Sequence, residues 1–238
     1  MTELIYQTDS YVKEFTAHVT AVEPETHAVL LDRTAFYPGG GGQPCDYGVL
    51  RVGDIVYPVT KVERGNRHIL GGDLLPDVGA EVQGELDWSR RFQLMRTHTA
   101  MHILCGVIWR DYEASVTGGN MEPLRGRLDF EFERMEKELV DEIEAKINAE
   151  VAAARDLTVK ILPREEAFQI PDLIRTKINL LPEGIAEVRT VEIIGLDLQA
   201  DGGTHVANTH EVGPLRISDY KSKGRINKRI TVELAPTE

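Results

Sequence analysis

The segment DWSRRFQLMRTHTAMH, residues 87–102, decides how the chain divides. Before it, short runs rich in Val, Ile and Tyr alternate with Gly, Pro and Asn, which is typical of β-strands joined by turns. From this segment onward, apolar residues recur with a helical period, and Asp87 or Ser89 can cap the first turn. The change of period predicts a small β-barrel or sandwich over residues 1–87 and a second domain over residues 88–238.

The second domain mixes helices and strands. A long helix is predicted over residues 133–155, where Leu139, Ile143, Ile147 and Val151 form an i, i+4 apolar stripe. Pro163 stands where another helix can begin. Strands are predicted over residues 128–132, 158–162, 188–194, 215–220 and 226–234. This order predicts an α+β fold, in which long helices cover one face of a sheet.

Charge and composition limit the function. The chain has 238 residues, a formal net charge of -12 and 42% hydrophobic residues, so it is a globular protein and not a general nucleic-acid binder. One segment, KSKGRINKR at residues 221–229, is dense in positive charge. It is a candidate for binding the phosphates of an RNA, although a solvated hairpin explains the charge as well. Its cationic residues are Lys221, Lys223, Arg225, Lys228 and Arg229.

The compartment is predicted from what the sequence contains. No apolar run approaches the roughly 20 residues that a membrane span needs. The N-terminal residues lack the basic and apolar regions of a secretory signal. The two cysteines, Cys45 and Cys105, suit a reducing compartment. We therefore expect a cytoplasmic protein that does not bind membranes.

Two clusters of potential metal ligands stand about a hundred residues apart. His98 and His102 are four residues apart on the predicted helix, so both rings lie on one face. Asp201 and His205 flank the turn Gly202-Gly203. Three imidazoles and one carboxylate suit a four-coordinate zinc site, or Asp201 stands behind the ligands while water fills the fourth position. The alternatives to a metal site are that the two helix histidines pair with carboxylates or water, and that Asp201 and His205 only form hydrogen bonds within their loop.

The motifs, taken in order, resemble the AlaX family and the editing domain of alanyl-tRNA synthetase. The glycine-rich motif is FYPGGGGQPCDYG at residues 36–48, and the first metal motif is DWSRR…MRTHTAMH at residues 87–102. The second half contributes GGTHV at residues 202–206, THEVG at 209–213 and KSKG at 221–224. The resemblance covers nearly the whole chain and is closest to the medium-sized AlaX proteins.

The resemblance implies an N-terminal β-barrel followed by a zinc-dependent editing domain with a mostly antiparallel sheet. It implies the deacylation in trans of Ser-tRNA(Ala), and also of Gly-tRNA(Ala), with zinc as cofactor and mischarged tRNA(Ala) as partner. One position departs from the family pattern. The synthetase motif has Cys where this chain has Asp201. A carboxylate can also bind zinc, so Asp201 stays a candidate ligand.

Selectivity for serine over alanine requires a polar group that reads the hydroxyl. Thr117, which precedes Gly118-Gly119, is the first candidate, and a simple turn residue is its alternative reading. Gln43 and Asp46 are further candidates for the catalytic pocket. The glycines Gly40, Gly41 and Gly42 would let backbone N–H groups approach the substrate, unless the loop is only flexible.

Two other functions fit the same residues. One is a zinc hydrolase that acts on a small ester or amide. The other is a non-catalytic RNA-binding module with a structural zinc. A structural site is closed by four protein ligands, whereas a catalytic site keeps an open position. The HExxH metalloprotease helix is excluded, because Thr99 stands where its glutamate base would be.

Overall fold

The computed structural model describes residues 2–132, 135–175 and 184–236. These residues form two compact units, Met1–Phe92 and Gln93–Glu238, so the division falls inside the first long helix. The sequence placed the boundary five residues earlier, at 87/88. The described residues fold into strands and three α-helices, and the predicted α+β class with an N-terminal barrel is confirmed.

Six antiparallel strands close a barrel in the first unit, in the order β2-β3-β7-β6-β5-β8. Alternation directs every second side chain inward, and in β8 Val82 and Leu86 are buried while their neighbours are exposed. The Val- and Ile-rich run over residues 49–62 forms two strands, because Gly53 adopts φ +56° in the turn between them. The strands of this unit are β1 (Glu3–Leu4), β2 (Glu14–Glu23), β3 (Ala28–Leu31), β4 (Arg33–Thr34), β5 (Gly48–Val52), β6 (Ile55–Glu63), β7 (Arg67–Leu70) and β8 (Glu81–Leu86). Short 3-10 helices cover Ile5–Gln7 and Pro24–Thr26.

Helix α1 (Trp88–Tyr112) is buried on all sides over residues 94–108. Such burial requires that its polar residues find partners, and Arg96 donates to the carbonyls of Val212 and Ala235. Helix α2 (Lys137–Ala152) buries Val140, Ile143 and Ile147 along one face. The predicted start of this helix, residues 133 and 134, lies outside the described residues. Helix α3 (Arg164–Ala167) begins directly after Pro163, as predicted.

Two antiparallel sheets complete the second unit. The larger has the order β14-β15-β10-β9, and the smaller has the order β11-β12-β13. Glycines on the larger sheet let α1 approach closely, since a Cβ on Gly126 would lie 2.7 Å from the sulfur of Met101. The strands are β9 (Val116–Glu122), β10 (Arg125–Glu131), β11 (Leu157–Pro163), β12 (Glu187–Ile193), β13 (Asp197–Ala200), β14 (Leu215–Ser222) and β15 (Asn227–Leu234). A 3-10 helix covers Thr209–Val212. Within the described ranges, no helix is long and apolar enough to cross a membrane.

Candidate metal centre and glycine-rich loop

Four side chains that are far apart in sequence converge in the second unit. His98 and His102 lie one turn apart on α1, with ring centroids 5.2 Å apart. The ring of His205 lies 4.3 Å from that of His98 and 4.7 Å from that of His102. Together with Asp201, each residue offers one ligand atom, and these atoms all lie within 4.8 Å of one another. The two clusters predicted from the sequence are therefore one cluster.

The turn that follows β13 holds Asp201 in place. The backbone N–H of Gly203 donates to Asp201 Oδ2 at 2.8 Å, which makes a compact turn around the carboxylate. The Arg189 guanidinium donates to the Asp201 carbonyl at 2.9 Å, and the Asp201 N–H donates to the Arg189 carbonyl at 3.1 Å. Asp201 Oδ2 lies 2.9 Å from His205 Nε2, and Oδ1 lies 3.5 Å from His98 Nε2. The carboxylate thus lies against two of the three imidazoles.

Two residues that sequence reasoning missed orient the imidazoles from behind. The Thr99 hydroxyl lies 3.1 Å from His205 Nδ1, and Asp197 Oδ2 lies 3.1 Å from His102 Nδ1. In each case the contact engages Nδ1 and leaves Nε2 for the cluster. Such contacts are the usual way in which proteins fix the tautomer of a metal-binding histidine.

Burial and mutual charge set the protonation of the cluster. Burial, with the positive charges of His102 and Arg189, lowers the pKa of His98 to about 4, although Asp201 opposes the shift. Burial and His98 likewise hold the pKa of His205 well below its ordinary value. For Asp201, burial alone would raise the pKa, but the three histidines outweigh it and the pKa is lowered. His102 differs: burial alone would lower its pKa, but the hydrogen bond to Asp197 and the charges of Asp197 and Asp201 outweigh burial and raise it. The neutral His98 and His205 and the ionised Asp201 are therefore in the forms that bind a metal, whereas a protonated His102 would release its proton on binding.

The donor set fits zinc. Zinc accepts both imidazole nitrogens, which are borderline ligands, and carboxylate oxygens, which are harder, whereas calcium or magnesium would require a set of oxygens. The four residues are buried or nearly so, with side-chain exposures of 3–12% among His98, Asp201 and His205. The residues that would hold zinc are therefore His98, His102, His205 and Asp201.

The glycine-rich loop lies in the barrel unit and has a defined conformation. Gly40 and Gln43 exchange two backbone hydrogen bonds of 3.0 and 2.8 Å. Between them, Gly41 and Gly42 adopt φ +56° and +92°, the values of a tight hairpin turn that glycine adopts without strain. The Tyr37 hydroxyl donates to the Gly40 carbonyl at 3.1 Å. The loop is an ordered turn, and Gly41 at its tip is exposed.

The other candidates on this loop are buried within the barrel unit. Asp46 forms an ion pair with the fully buried Arg91, and its carboxylate accepts the Tyr37 N–H at 2.7 Å. These are the contacts of a residue that anchors the loop. Gln43 is also buried, at 3% exposure, at the base of the turn. A catalytic role for either residue stays a prediction.

Comparison with known proteins identifies the family. Residues 188–231 match the model of the threonyl and alanyl tRNA synthetase second additional domain, and residues 3–90 match that of the class II (A) tRNA synthetases. An alanyl-tRNA editing protein AlaX-M from Saccharolobus solfataricus is 40% identical over 99% of this chain and all of its own length. The AlaX-M protein of Methanosarcina acetivorans is 35% identical over 97% of this chain and 98% of its own. The chain belongs to the AlaX family.

The relation of AlaX proteins to the synthetases is visible in the same comparison. The alanine–tRNA ligase of Thermococcus kodakarensis is 37% identical over 91% of this AlaX chain, which spans 24% of the ligase. The similarity includes both the barrel unit and the unit that carries the histidine cluster, because 91% coverage exceeds either unit alone.

Thr117 lies on a strand of this AlaX chain and not in a turn. It is the second residue of β9, it is exposed, and its hydroxyl donates to Asn227 Oδ1 at 3.0 Å. The predicted turn reading is therefore wrong for its backbone. Its role in reading a substrate hydroxyl stays a prediction.

The basic segment forms the hairpin between β14 and β15, and its five cations are not equivalent. Lys221, Lys223 and Arg225 are exposed. Lys228 is 6% exposed, and its ammonium donates to the carbonyls of Gly224 and Arg225 at 2.9 Å. The fifth cation, Arg229, forms an ion pair with Asp129. Two of the five charges therefore stabilise the hairpin itself.

Proposed function

We propose that this AlaX chain is a trans-editing aminoacyl-tRNA deacylase, which hydrolyses the ester of Ser-tRNA(Ala) and also that of Gly-tRNA(Ala). The observation that carries the proposal is the convergence of His98, His102, His205 and Asp201 in a chain of this family. The names of its relatives, alanyl-tRNA editing protein and alanine–tRNA ligase, indicate which tRNA the substrate contains. The cluster of three histidines and one aspartate is the candidate site of the hydrolysis.

Ester hydrolysis requires a polarised carbonyl and an activated water. A zinc ion held by the four residues would supply Lewis acidity for both tasks. The protein's own contribution is to present the Nε2 atoms of His205 and His102, which Thr99 and Asp197 orient through the opposite nitrogens. The ionised Asp201 adds one negative charge to the centre. Burial of the cluster excludes bulk water, which strengthens each of these electrostatic interactions.

The substrate would be read by polar groups outside the cluster. The Thr117 hydroxyl is our candidate for recognition of the seryl hydroxyl, since a site built to bind a hydroxyl discriminates strongly against a substrate that lacks it. The glycine tip, Gly40 to Gly42, is our candidate for backbone contacts to the substrate, because side chains that would cover its backbone are missing. The Gly40 N–H donates within the turn, so Gly41 and Gly42 are the candidates for donating N–H groups to the substrate. The exposed cations of the β14–β15 hairpin are the candidates for tRNA phosphates.

Deacylation by the purified chain tests the proposal. Ser-tRNA(Ala), Gly-tRNA(Ala), Ala-tRNA(Ala) and a free seryl ester are compared, with zinc content measured on the same samples. We expect hydrolysis of the first two, sparing of Ala-tRNA(Ala), and loss of both zinc and activity in the double variant His98→Ala/His102→Ala. The matched control replaces two exposed histidines, His18→Gln/His210→Gln, and is expected to retain both zinc and activity.

The other outcomes identify the competing functions. Equal rates on the free ester and on Ser-tRNA(Ala) indicate a hydrolase of small esters. Bound zinc without hydrolysis of any substrate indicates an RNA-binding module with a structural ion. Full zinc content in the double histidine variant would exclude these residues as ligands.

A further inference from the structure

A buried carboxylate outside the candidate ligand set lies directly behind one of the histidines. Asp197 is fully buried as a side chain, and its Oδ2 lies 3.1 Å from His102 Nδ1. It stands at the start of β13, 95 positions from His102 in the sequence. The desolvation of a carboxylate is costly, so its burial requires specific partners.

Asp197 has such partners, and they fix its orientation. The side-chain amide of Gln199 donates to Asp197 Oδ2 at 2.7 Å. The guanidinium of Arg175 lies 3.5 Å from Oδ1 and stacks over the Trp109 ring at 4.6 Å. Oδ1 of the carboxylate therefore faces Arg175, and Oδ2 faces both Gln199 and His102.

The backbone of α1 is shaped to admit this carboxylate. Gly106 lies one helical turn after His102, on the same face. A Cβ at Gly106 would lie 2.9 Å from Leu196 Cγ and 3.0 Å from Asp197 Cβ. Any larger residue would push the start of β13 away from the helix. A glycine inside a helix is destabilising by about 1 kcal/mol relative to alanine, and here it permits the contact between Asp197 and His102.

We infer that Asp197 is a positioning residue for the metal centre, which holds His102 as the Nδ1–H tautomer and directs its Nε2 toward the cluster. The inference rests on the proposed metal site, but the tautomer is a property of the metal-free chain as well. An imidazole that donates Nδ1–H to a carboxylate is also a more basic ligand through Nε2. Asp197 thus acts on the metal through His102 and does not touch it.

Two substitutions distinguish the effect of the acceptor oxygen of Asp197 from that of its negative charge. Asp197→Asn keeps the shape and one acceptor oxygen, whereas Asp197→Leu removes the acceptor. The His102 ring nitrogens are observed by 15N NMR in the metal-free chain, with the pH raised until the ring is neutral, because despite burial the hydrogen bond to Asp197 raises the pKa of His102 above its ordinary value of about 6.5. Zinc affinity is measured by chelator competition. We expect Asp197→Leu to lose the Nδ1–H tautomer and to bind zinc roughly ten- to a hundredfold more weakly, and Asp197→Asn to keep the tautomer with about tenfold weaker binding.

Asp129→Asn is the matched control, because Asp129 is another buried carboxylate of the same unit whose partner is Arg229. It should leave both the His102 signals and the zinc affinity unchanged. Parent-like affinity in both Asp197 variants, or parent-like His102 signals in Asp197→Leu, would overturn the inference. If Asp197→Leu does not fold, parent-like affinity in Asp197→Asn alone overturns it. Failure of the parent chain to bind zinc would instead reject the proposed metal site, and the NMR measurement would still decide the role of Asp197.

Discussion

The Thr117 hydroxyl already donates a hydrogen bond within the protein. It donates to Asn227 Oδ1 at 3.0 Å, across the strand that separates β9 from β15. A threonine oxygen can still accept one or two further hydrogen bonds. If Thr117 reads serine, it therefore acts as an acceptor for the seryl O–H, with Asn227 fixing its orientation.

Thr117→Val tests this reading because it keeps the shape and removes the hydroxyl. We expect the rate on Ser-tRNA(Ala) to fall about ten- to a hundredfold, which corresponds to roughly 1–3 kcal/mol of transition-state stabilisation. The rate on Gly-tRNA(Ala) should change far less, since glycine has no hydroxyl. Thr117→Ser should retain most of the seryl activity. Equal losses on both substrates in kcat/KM measurements would show that Thr117 supports the fold or the ester geometry.

The candidate metal site could be predicted from the sequence only as far as its ligands. Helical spacing put His98 and His102 on one face, and the Gly-Gly turn put Asp201 near His205. Asp197 could not be found in this way, because its partner is 95 positions away and no local pattern marks a carboxylate that supports a ligand. Sequence spacing reports neighbours on one element, whereas orienting contacts are made between elements.

Among the elements, the barrel contains a buried histidine that does not belong to the metal cluster. His68 lies on β7 with no measurable exposure. Its Nε2 lies 2.9 Å from the Thr34 hydroxyl, and its Nδ1 lies 3.2 Å from the Val29 carbonyl. The neutral ring, with Nδ1–H donating to Val29, satisfies both contacts. Burial lowers the pKa of His68 to about 4, although its backbone hydrogen bonds oppose the shift.

His68 should make the barrel sensitive to acid. The folded pKa of about 4 lies below the unfolded value of 6.5, so between these values the unfolded chain binds the extra proton. The free energy of unfolding therefore falls as the pH drops from 6.5 to about 4, by about 3 kcal/mol for this group, and does not fall further below that. His68→Gln should remove this part of the slope in urea denaturation of the full chain. His210→Gln, at an exposed site, should keep it; a parent-like slope in His68→Gln contradicts the prediction.

The sequence predicted those elements whose periodicity was strong. Most of the barrel strands and both long helices follow from period and turn residues, and α2 begins at Lys137 within the predicted range. The barrel strand β7, four residues between two turns, was not predicted. The short strand β13 was missed, because four residues of mixed polarity carry no period. Strand β9 was missed as well, since a Gly-Gly pair is typical of a turn, whereas here Gly119 makes room for Leu128 and Met101. Tertiary packing decided both cases.

Binding of tRNA by this chain would bring together an acidic protein and an acidic polymer. The formal net charge of -12 repels RNA at long range, so tRNA binding depends on a local concentration of positive charge. Lys221, Lys223 and Arg225 are exposed around the β14–β15 turn. Lys221 pairs with Asp219 at 2.9 Å, yet its side chain remains 54% exposed. These three residues are the part of the basic segment that can reach phosphates.

Replacement of the three cations by Gln should weaken tRNA binding in a salt-dependent way. Each lost phosphate contact lowers the slope of log K against log salt concentration by about one unit, so the triple variant should lose up to about three units. The KM for tRNA should rise, while kcat at saturating tRNA changes little, because the hairpin does not contribute to the histidine cluster.

A matched control changes the net charge equally by replacing three exposed cations of the same unit: Lys137, Lys160 and Arg216. If both variants reduce the slope alike, the effect is one of net charge; if neither does, the tRNA binds elsewhere. Only a selective loss in the hairpin variant assigns the phosphate contacts to this turn.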